Sequence, residues 1–300
     1  MTPQVYQEFK ALLLAGLSDD GYALDWTSLG VAKVARGKAE KAVRADITAK
    51  ASGIFFGEAL GRAAAAISEE IALPFSVKCL AKEGERLKPG QKVFEWKGSS
   101  TGILSIERPF LNLAGYLGGM STRTRDLVDR VVGEWKKNRS TGQAPRVTST
   151  RKILPHYRDC AIAAVIAGGG YPHRVSLSGG VLIKENHIAA AGGIRNAIRG
   201  ARSVAPHSLK IEIEVRNATE LKDALSEKAE IIMLDNFSPT DVVKVMPTIA
   251  ASGYSPTIEC SGGISEETIA NYAIEGVHIL SVGGLTHSVK ALDLSLIVKR

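Results

Sequence analysis

From about residue 145 onward, short β-branched runs alternate with amphipathic stretches. That alternation predicts repeated βα units on a parallel sheet or barrel. Strands are expected at 146–149, 181–184, 210–215, 231–234, 257–260 and 278–282, and helices over 191–204, 218–225, 240–251 and 266–273, with Ser238 and Ser265 placed to cap. Six such strands point to a barrel. The first hundred residues follow another rhythm: a helix over 3–14, an Ala-rich helix over 58–71, and strands near 75–81 and 92–96 with a Lys88-Pro89-Gly90 turn before the second. This predicts a separate α+β domain, joined to the barrel through a helical region at about 109–135.

Composition narrows the class. Three hundred residues suit about two domains of roughly 150 residues each, and 45% hydrophobic with 23% charged residues is the balance of a folded globular chain. Cys79, Cys160 and Cys260 are odd in number and widely spaced, so neither a disulfide framework nor a zinc knuckle is expected. A reducing, cytoplasmic setting fits them. The apolar run 11–17 has Glu8 before it and Asp19 and Asp20 after it, unlike a signal peptide, and the uncharged stretch 160–172 is too short and too glycine-rich for a membrane helix. No membrane association is expected. A net charge of +7 suits either nucleic acid or a small anionic substrate. No run of five basic residues occurs and aromatics are only 6%, which argues against nucleic acid.

In a parallel barrel the C-terminal strand ends open on one face, so polar residues recurring there converge. Thr150, Arg151 and Lys152 follow the first predicted strand, and Lys184, Glu185, Asn186 and His187 close the second. Glu212 and Glu214 alternate with Ile211, Ile213 and Val215 in the third; Asp235 and Asn236 end the fourth, Ser261, Gly262 and Gly263 the fifth, and Gly283 and Gly284 the sixth. His173 and Arg174 follow a Gly168-Gly169-Gly170 turn. The set offers cations for an acidic ligand, carboxylates for a divalent metal or a developing positive charge, and two glycine turns that resemble phosphate cradles. Each has a plainer explanation. TRK and HR are ordinary solvated turns in most chains, and the two glutamates could face water, although in a buried strand unpaired carboxylates are costly.

Taken in order, TRK at 150–152, GGGYPHR at 168–174, LIKENHI at 182–188, IEIEV at 211–215, IIMLDNF at 231–237, ECSGGI at 259–264 and SVGGLTHS at 281–288 resemble the quinolinate phosphoribosyltransferase family, as does IERPFLN at 106–112. The resemblance implies an incomplete, seven-stranded α/β barrel at 111–287 beside an N-terminal α/β sandwich at 1–110, to which 288–300 can return. It implies transfer of phosphoribosyl from phosphoribosyl pyrophosphate to quinolinate with decarboxylation and magnesium, giving nicotinate mononucleotide, pyrophosphate and carbon dioxide. Position by position, Thr150, Arg151, His173, Arg174 and Lys184 would surround quinolinate, with Arg108 supplied by the partner of a homodimer, association of dimers being left open. Lys152, Glu214, Asp235, Ser261, Gly262, Gly263, Gly283, Gly284 and His287 would hold the phosphoribosyl donor. Glu214 and Asp235 would serve the metal, directly or through water, and Lys152, Lys184, Glu214 and Asp235 the chemistry.

The chain departs from the family pattern at Ile153, Leu154, Pro155 and His156, where Thr-Thr-Pro-Gly is usual, and at Gly179, Glu185 and Gly284. The rivals are a related phosphoribosyltransferase for another acidic heterocycle, a Schiff-base aldolase using Lys152 or Lys184, and a basic nucleic-acid-binding protein.

Overall fold

The computed structural model describes residues 2–35 and 42–299. The chain forms two compact units, each assembled from separate stretches: Met1–Arg125 with Ile153–Gly169 and Ser288–Arg300, and Asp126–Lys152 with Gly170–His287.

In the first unit, Pro3 opens a helix over Pro3–Asp19 whose Val5, Phe9, Leu13 and Leu17 repeat every fourth residue and are buried. Thr2 caps it by accepting from the Val5 N–H. With the helices Glu58–Glu70 and Arg158–Ala167 it belongs to the unit built on an antiparallel sheet ordered Leu294–Lys299, Val43–Ala49, Lys92–Gly98, Phe75–Cys79. The predicted strands near 75 and 92 form as expected; the strands Leu294–Lys299 and Val43–Ala49 are additional to those read from the pattern. Aromatic packing fills the core: Phe75 stacks on Trp96 at 4.8 Å, and Phe110 meets the same ring edge-on at 4.8 Å. The long helix starts not near Pro109 but at Ser100, and runs to Lys137. A proline costs an interior helix one hydrogen bond, but here Ile103, Ile106 and Phe110 are fully buried on either side of it. His156 holds φ at +63°, a left-handed conformation that glycine, usual there in the resembled family, adopts without strain.

The second unit carries six parallel strands: first Arg146–Thr148, second Val181–Ile183, third Ile211–Val215, fourth Ile231–Asp235, fifth Thr257–Ser261 and sixth Ile279–Ser281. Their order in the sheet is first, sixth, fifth, fourth, third, second. The first and second strands do not pair, so the barrel is incomplete. A seventh strand is reduced to one bridge, in which the Tyr171 N–H donates to the Val147 carbonyl and the Tyr171 carbonyl accepts from Ser149. Pro172, next in the chain, has no N–H with which to extend it.

Side chains alternate across each strand. Ile213, Val215, Leu234, Ile258 and Leu280 therefore meet the helices Ile194–Val204, Ala218–Ser226 and Pro239–Ala251 in one buried cluster, and Glu212, Glu214, Asp235, Glu259 and Ser261 lie on the opposite side of their strands. Asn217 and Ser238 cap the second and third of those helices. Two expected helices are shorter than the pattern suggested. Left-handed Gly192 and Gly193 delay the helix expected from 191 until Ile194. Residues 266–273 yield only a 3₁₀ turn, Ile269–Tyr272, although Ser265 is engaged as a cap would be: its hydroxyl accepts from the Glu267 N–H and its own N–H donates to the Thr268 hydroxyl. Among the described residues, no helix is long and apolar enough to cross a membrane.

Candidate active site

Sheet order sets the order of chemistry around the C-terminal rim of the barrel. At the ends of the second and third strands, Lys184 Nζ lies 2.7 Å from Glu214 Oε1. Lys184 stays half exposed, whereas Glu214 is largely covered. The short helix Glu185–Ala190 begins directly after Lys184, and the turn is locked where the Lys184 N–H donates to His187 Nδ1. Glu185, a departure from the family pattern, pairs outward with Arg216 at 3.0 Å.

Next along the rim, Asp235 pairs in register with Ser261 and Ser261 with Ser281. Asp235 accepts from the Asn236 amide at 2.8 Å, and the Asn236 N–H donates to the Ser261 carbonyl at 2.8 Å. Gly262 sits at φ +85°, and a Cβ there would come within 2.3 Å of Asn236 Oδ1, so only glycine fits the turn. Gly263 follows at φ +63° with open space beside it. A glycine turn of this kind can aim successive backbone N–H groups into a concavity suited to a phosphate. Beyond the sixth strand, Gly283 lies against both the His287 ring and the Lys152 side chain, at 3.1 and 3.4 Å from its Cβ position. Thr150 steadies the turn after the first strand by accepting from the Lys152 N–H at 3.3 Å. Gly284 opens the single helical turn Gly284–His287.

The remaining cations collect beside the first strand. Burial and then the charge of Arg151 pull the Arg174 guanidinium below its usual pKa, opposed by Glu212 and Glu214. Arg151 and Arg174 thus lie within one another's field, although far apart in sequence. Arg174 Nη1 donates to the Gly180 carbonyl at 3.0 Å. Beneath it, His173 Nε2 is 3.2 Å from Glu212 Oε1 and 3.6 Å from Glu259 Oε1. Burial pushes the Glu212 carboxyl up from its ordinary value. Glu259, only 1% exposed, is the residue that strand-end reasoning missed; its signal was a charged residue at an inward position of the fifth strand, before rather than at its end. Arg108 is exposed on the long helix, within the first unit.

The arrangement offers cations for an acid, two carboxylates on adjacent strands, and glycine turns flanked by Lys152 and His287. Comparison with known proteins gives it a family. The N-terminal domain family of quinolinate phosphoribosyl transferase matches residues 25–117, and the C-terminal domain family residues 111–297. A probable carboxylating nicotinate-nucleotide pyrophosphorylase of Methanocaldococcus jannaschii is 41% identical over 232 residues, covering 75% of this chain and 78% of the relative. The carboxylating nicotinate-nucleotide pyrophosphorylase of Mycobacterium leprae is 40% identical over 219 residues, 72% of each chain. The solved structure of the Francisella tularensis nicotinate-nucleotide pyrophosphorylase superposes with a TM-score of 0.83 at 30% identity, over 100% of this chain and 98% of that one. With both domain families matched in order and the rim assembled as described, the chain belongs to the quinolinate phosphoribosyltransferase family.

Proposed function

We infer that the protein is a carboxylating nicotinate-nucleotide diphosphorylase, transferring phosphoribosyl from phosphoribosyl pyrophosphate to quinolinate and releasing pyrophosphate and carbon dioxide in the synthesis of NAD. The observation that carries this is the Lys184–Glu214 pair at 2.7 Å. It sets a cation suited to a pyridine carboxylate directly beside a carboxylate suited to the ribose. Arg151, Arg174 and Lys184 bind the two adjacent carboxylates through charge-assisted hydrogen bonds and aim the ring nitrogen at the sugar. The Ser261-Gly262-Gly263 turn, Gly283, Gly284, Lys152 and His287 take the phosphates.

The nitrogen lone pair forms the bond to the ribose carbon as the bond to pyrophosphate breaks. Positive charge grows on the sugar, and Glu214 and Asp235 stabilise it electrostatically. Alkylation makes the ring nitrogen cationic, so it accepts the electron pair left when the neighbouring carboxylate departs as carbon dioxide, and a proton then replaces that carboxylate. Glu214 and Asp235 are hard oxygen donors on neighbouring strands, and that donor set fits magnesium held jointly with substrate oxygens and water. Magnesium there would neutralise charge on the departing pyrophosphate.

Arg108 would complete the acid site from the partner of a homodimer, and the three free thiols suit a cytoplasmic location. The decisive experiment is incubation with quinolinate, phosphoribosyl pyrophosphate and magnesium; formation of nicotinate mononucleotide with equimolar pyrophosphate is expected, and its absence from folded protein would overturn the assignment.

A further inference from the structure

Glu212 and Glu259 stand inside the barrel, 5% and 1% exposed, where register places Ile231 beside the first and Met233 and Ile279 beside the second. Two carboxylates among apolar neighbours are costly unless they are used. With His173 they form a cluster whose polar atoms lie within 4.8 Å of one another, the geometry of a candidate cation site.

Hydrogen bonding at the other ring nitrogen argues against a cation. The Arg174 backbone N–H donates to His173 Nδ1 at 2.8 Å, so that nitrogen keeps its lone pair and the ring proton sits on Nε2. A nitrogen that carries a proton has no lone pair for a metal. Burial opposes a charged ring, and the two carboxylates would outweigh it and lift the pKa to about 10 if Nδ1 were free to take a second proton; the Arg174 N–H already occupies that position. His173 Nε2–H therefore donates to Glu212 Oε1 at 3.2 Å, with Glu259 Oε1 3.6 Å away, and both ring nitrogens are engaged within the protein. Arg174 is fixed at two points: its chain at His173 and its Nη1 at the Gly180 carbonyl. Its Nε is buried without a hydrogen-bond partner, as is Glu259 Oε1.

We propose that Glu259 and Glu212 are positioning residues which act through His173 to hold Arg174 ready for a ligand carboxylate. This rests on the acid site proposed above and deepens it. His173 serves the acid by orienting Arg174, whose Nε is itself covered. Such preorganisation removes an ordering cost from binding.

Two measurements on the full-length protein test this. Ring ¹⁵N–¹H correlation spectra without substrate, at pH 7.5, should show His173 as the neutral tautomer with its proton on Nε2, unchanged by added zinc; Glu259→Gln should shift those signals. A doubly protonated ring, or zinc binding at Nε2, would overturn the arrangement. Calorimetry should show Glu259→Gln weakening quinolinate at least tenfold while phosphoribosyl pyrophosphate affinity stays within twofold. In an Arg174→Ala background, Glu259→Gln should add nothing. Equal losses for both ligands, or the same tenfold loss in either background, would mean Glu259 only supports the barrel and would sink the positioning role. Failure of the wild type to bind quinolinate would instead overturn the acid site itself, which separates the two failures.

Discussion

Lys184 Nζ and Glu214 Oε1 meet at 2.7 Å across the ends of the second and third barrel strands. The pair holds a half-exposed ammonium in place before any substrate arrives. In the proposed function it also marks the division of the rim: cations for an acid on one side, carboxylates and glycine turns for a phosphorylated sugar on the other.

Specificity for a dicarboxylate follows. Nicotinate lacks one carboxylate and would leave part of the Arg151, Arg174 and Lys184 set unpaired. Breaking a fully buried pair costs about 3–5 kcal/mol. Lys184 is 49% exposed, so solvent reduces the penalty to roughly 2.7 kcal/mol, or about a hundredfold in rate. Steady-state kinetics should give kcat/KM for quinolinate about a hundred times that for nicotinate; comparable values would refute the assignment of these cations.

Substitution should separate the two halves of the rim. Arg174→Ala is expected to weaken quinolinate binding, whereas Asp235→Asn should leave it nearly intact and slow turnover by about 10²-fold or more, the scale of lost transition-state stabilisation. Titration calorimetry with quinolinate decides. Equal loss of affinity in both variants would show that the division is wrong.

Sharing of sites between subunits can be tested by mixing inactive variants. Arg108→Ala and Lys184→Ala homodimers should each be nearly inactive. In a mixed symmetric dimer one site carries both lesions and the other neither. Equal mixing makes about half the dimers mixed, so roughly a quarter of wild-type activity should return. If differently tagged subunits co-purify as mixed dimers yet activity stays low, Arg108 serves its own chain or none.

A pH effect on stability is expected at Asp46, buried in the central strand Val43–Ala49. Lys299 and then Lys92, each 2.7 Å away, hold its carboxyl below the ordinary range. The unfolded chain therefore binds this proton more readily, and stability from the group is present above about pH 4 and lost as pH falls through the lower folded value. Both lysines are 51% exposed, which limits the contribution to about 1 kcal/mol or less. Denaturant titrations should show Asp46→Asn less stable than wild type at pH 6, with the gap narrowing by pH 3. A gap that widens on acidification would contradict the sign.

The thiols should be inert while the protein is folded. Burial pushes Cys79 up to about 11 and Cys260 up to about 12, and raises Cys160 as well. Thiolate, the reacting form, is scarce at pH 8. A disulfide reagent should label fewer than one thiol per chain in minutes and all three after denaturation; rapid labelling of the native protein would count against burial at these positions.

Much of this protein was legible in its linear order because barrel geometry is local. A strand–helix repeat places each strand's last residues on one face whatever the tertiary details, so Lys184, Glu214, Asp235 and the Ser261-Gly262-Gly263 turn could be grouped from position alone. Ordered motifs such as LIKENHI and ECSGGI then narrowed the chemistry to one family. Tertiary structure decided what depends on partners remote in sequence. Strand Val43–Ala49 escaped notice because Asp46 interrupts its apolar pattern, and the lysines that make a buried aspartate tolerable come from the strands at Lys92–Gly98 and Leu294–Lys299. Glu259 escaped for the same reason: an inward carboxylate reads as an exception until folding brings His173, remote in sequence, to it. Periodicity reports which face a residue occupies, but only the folded chain shows which charge it meets there.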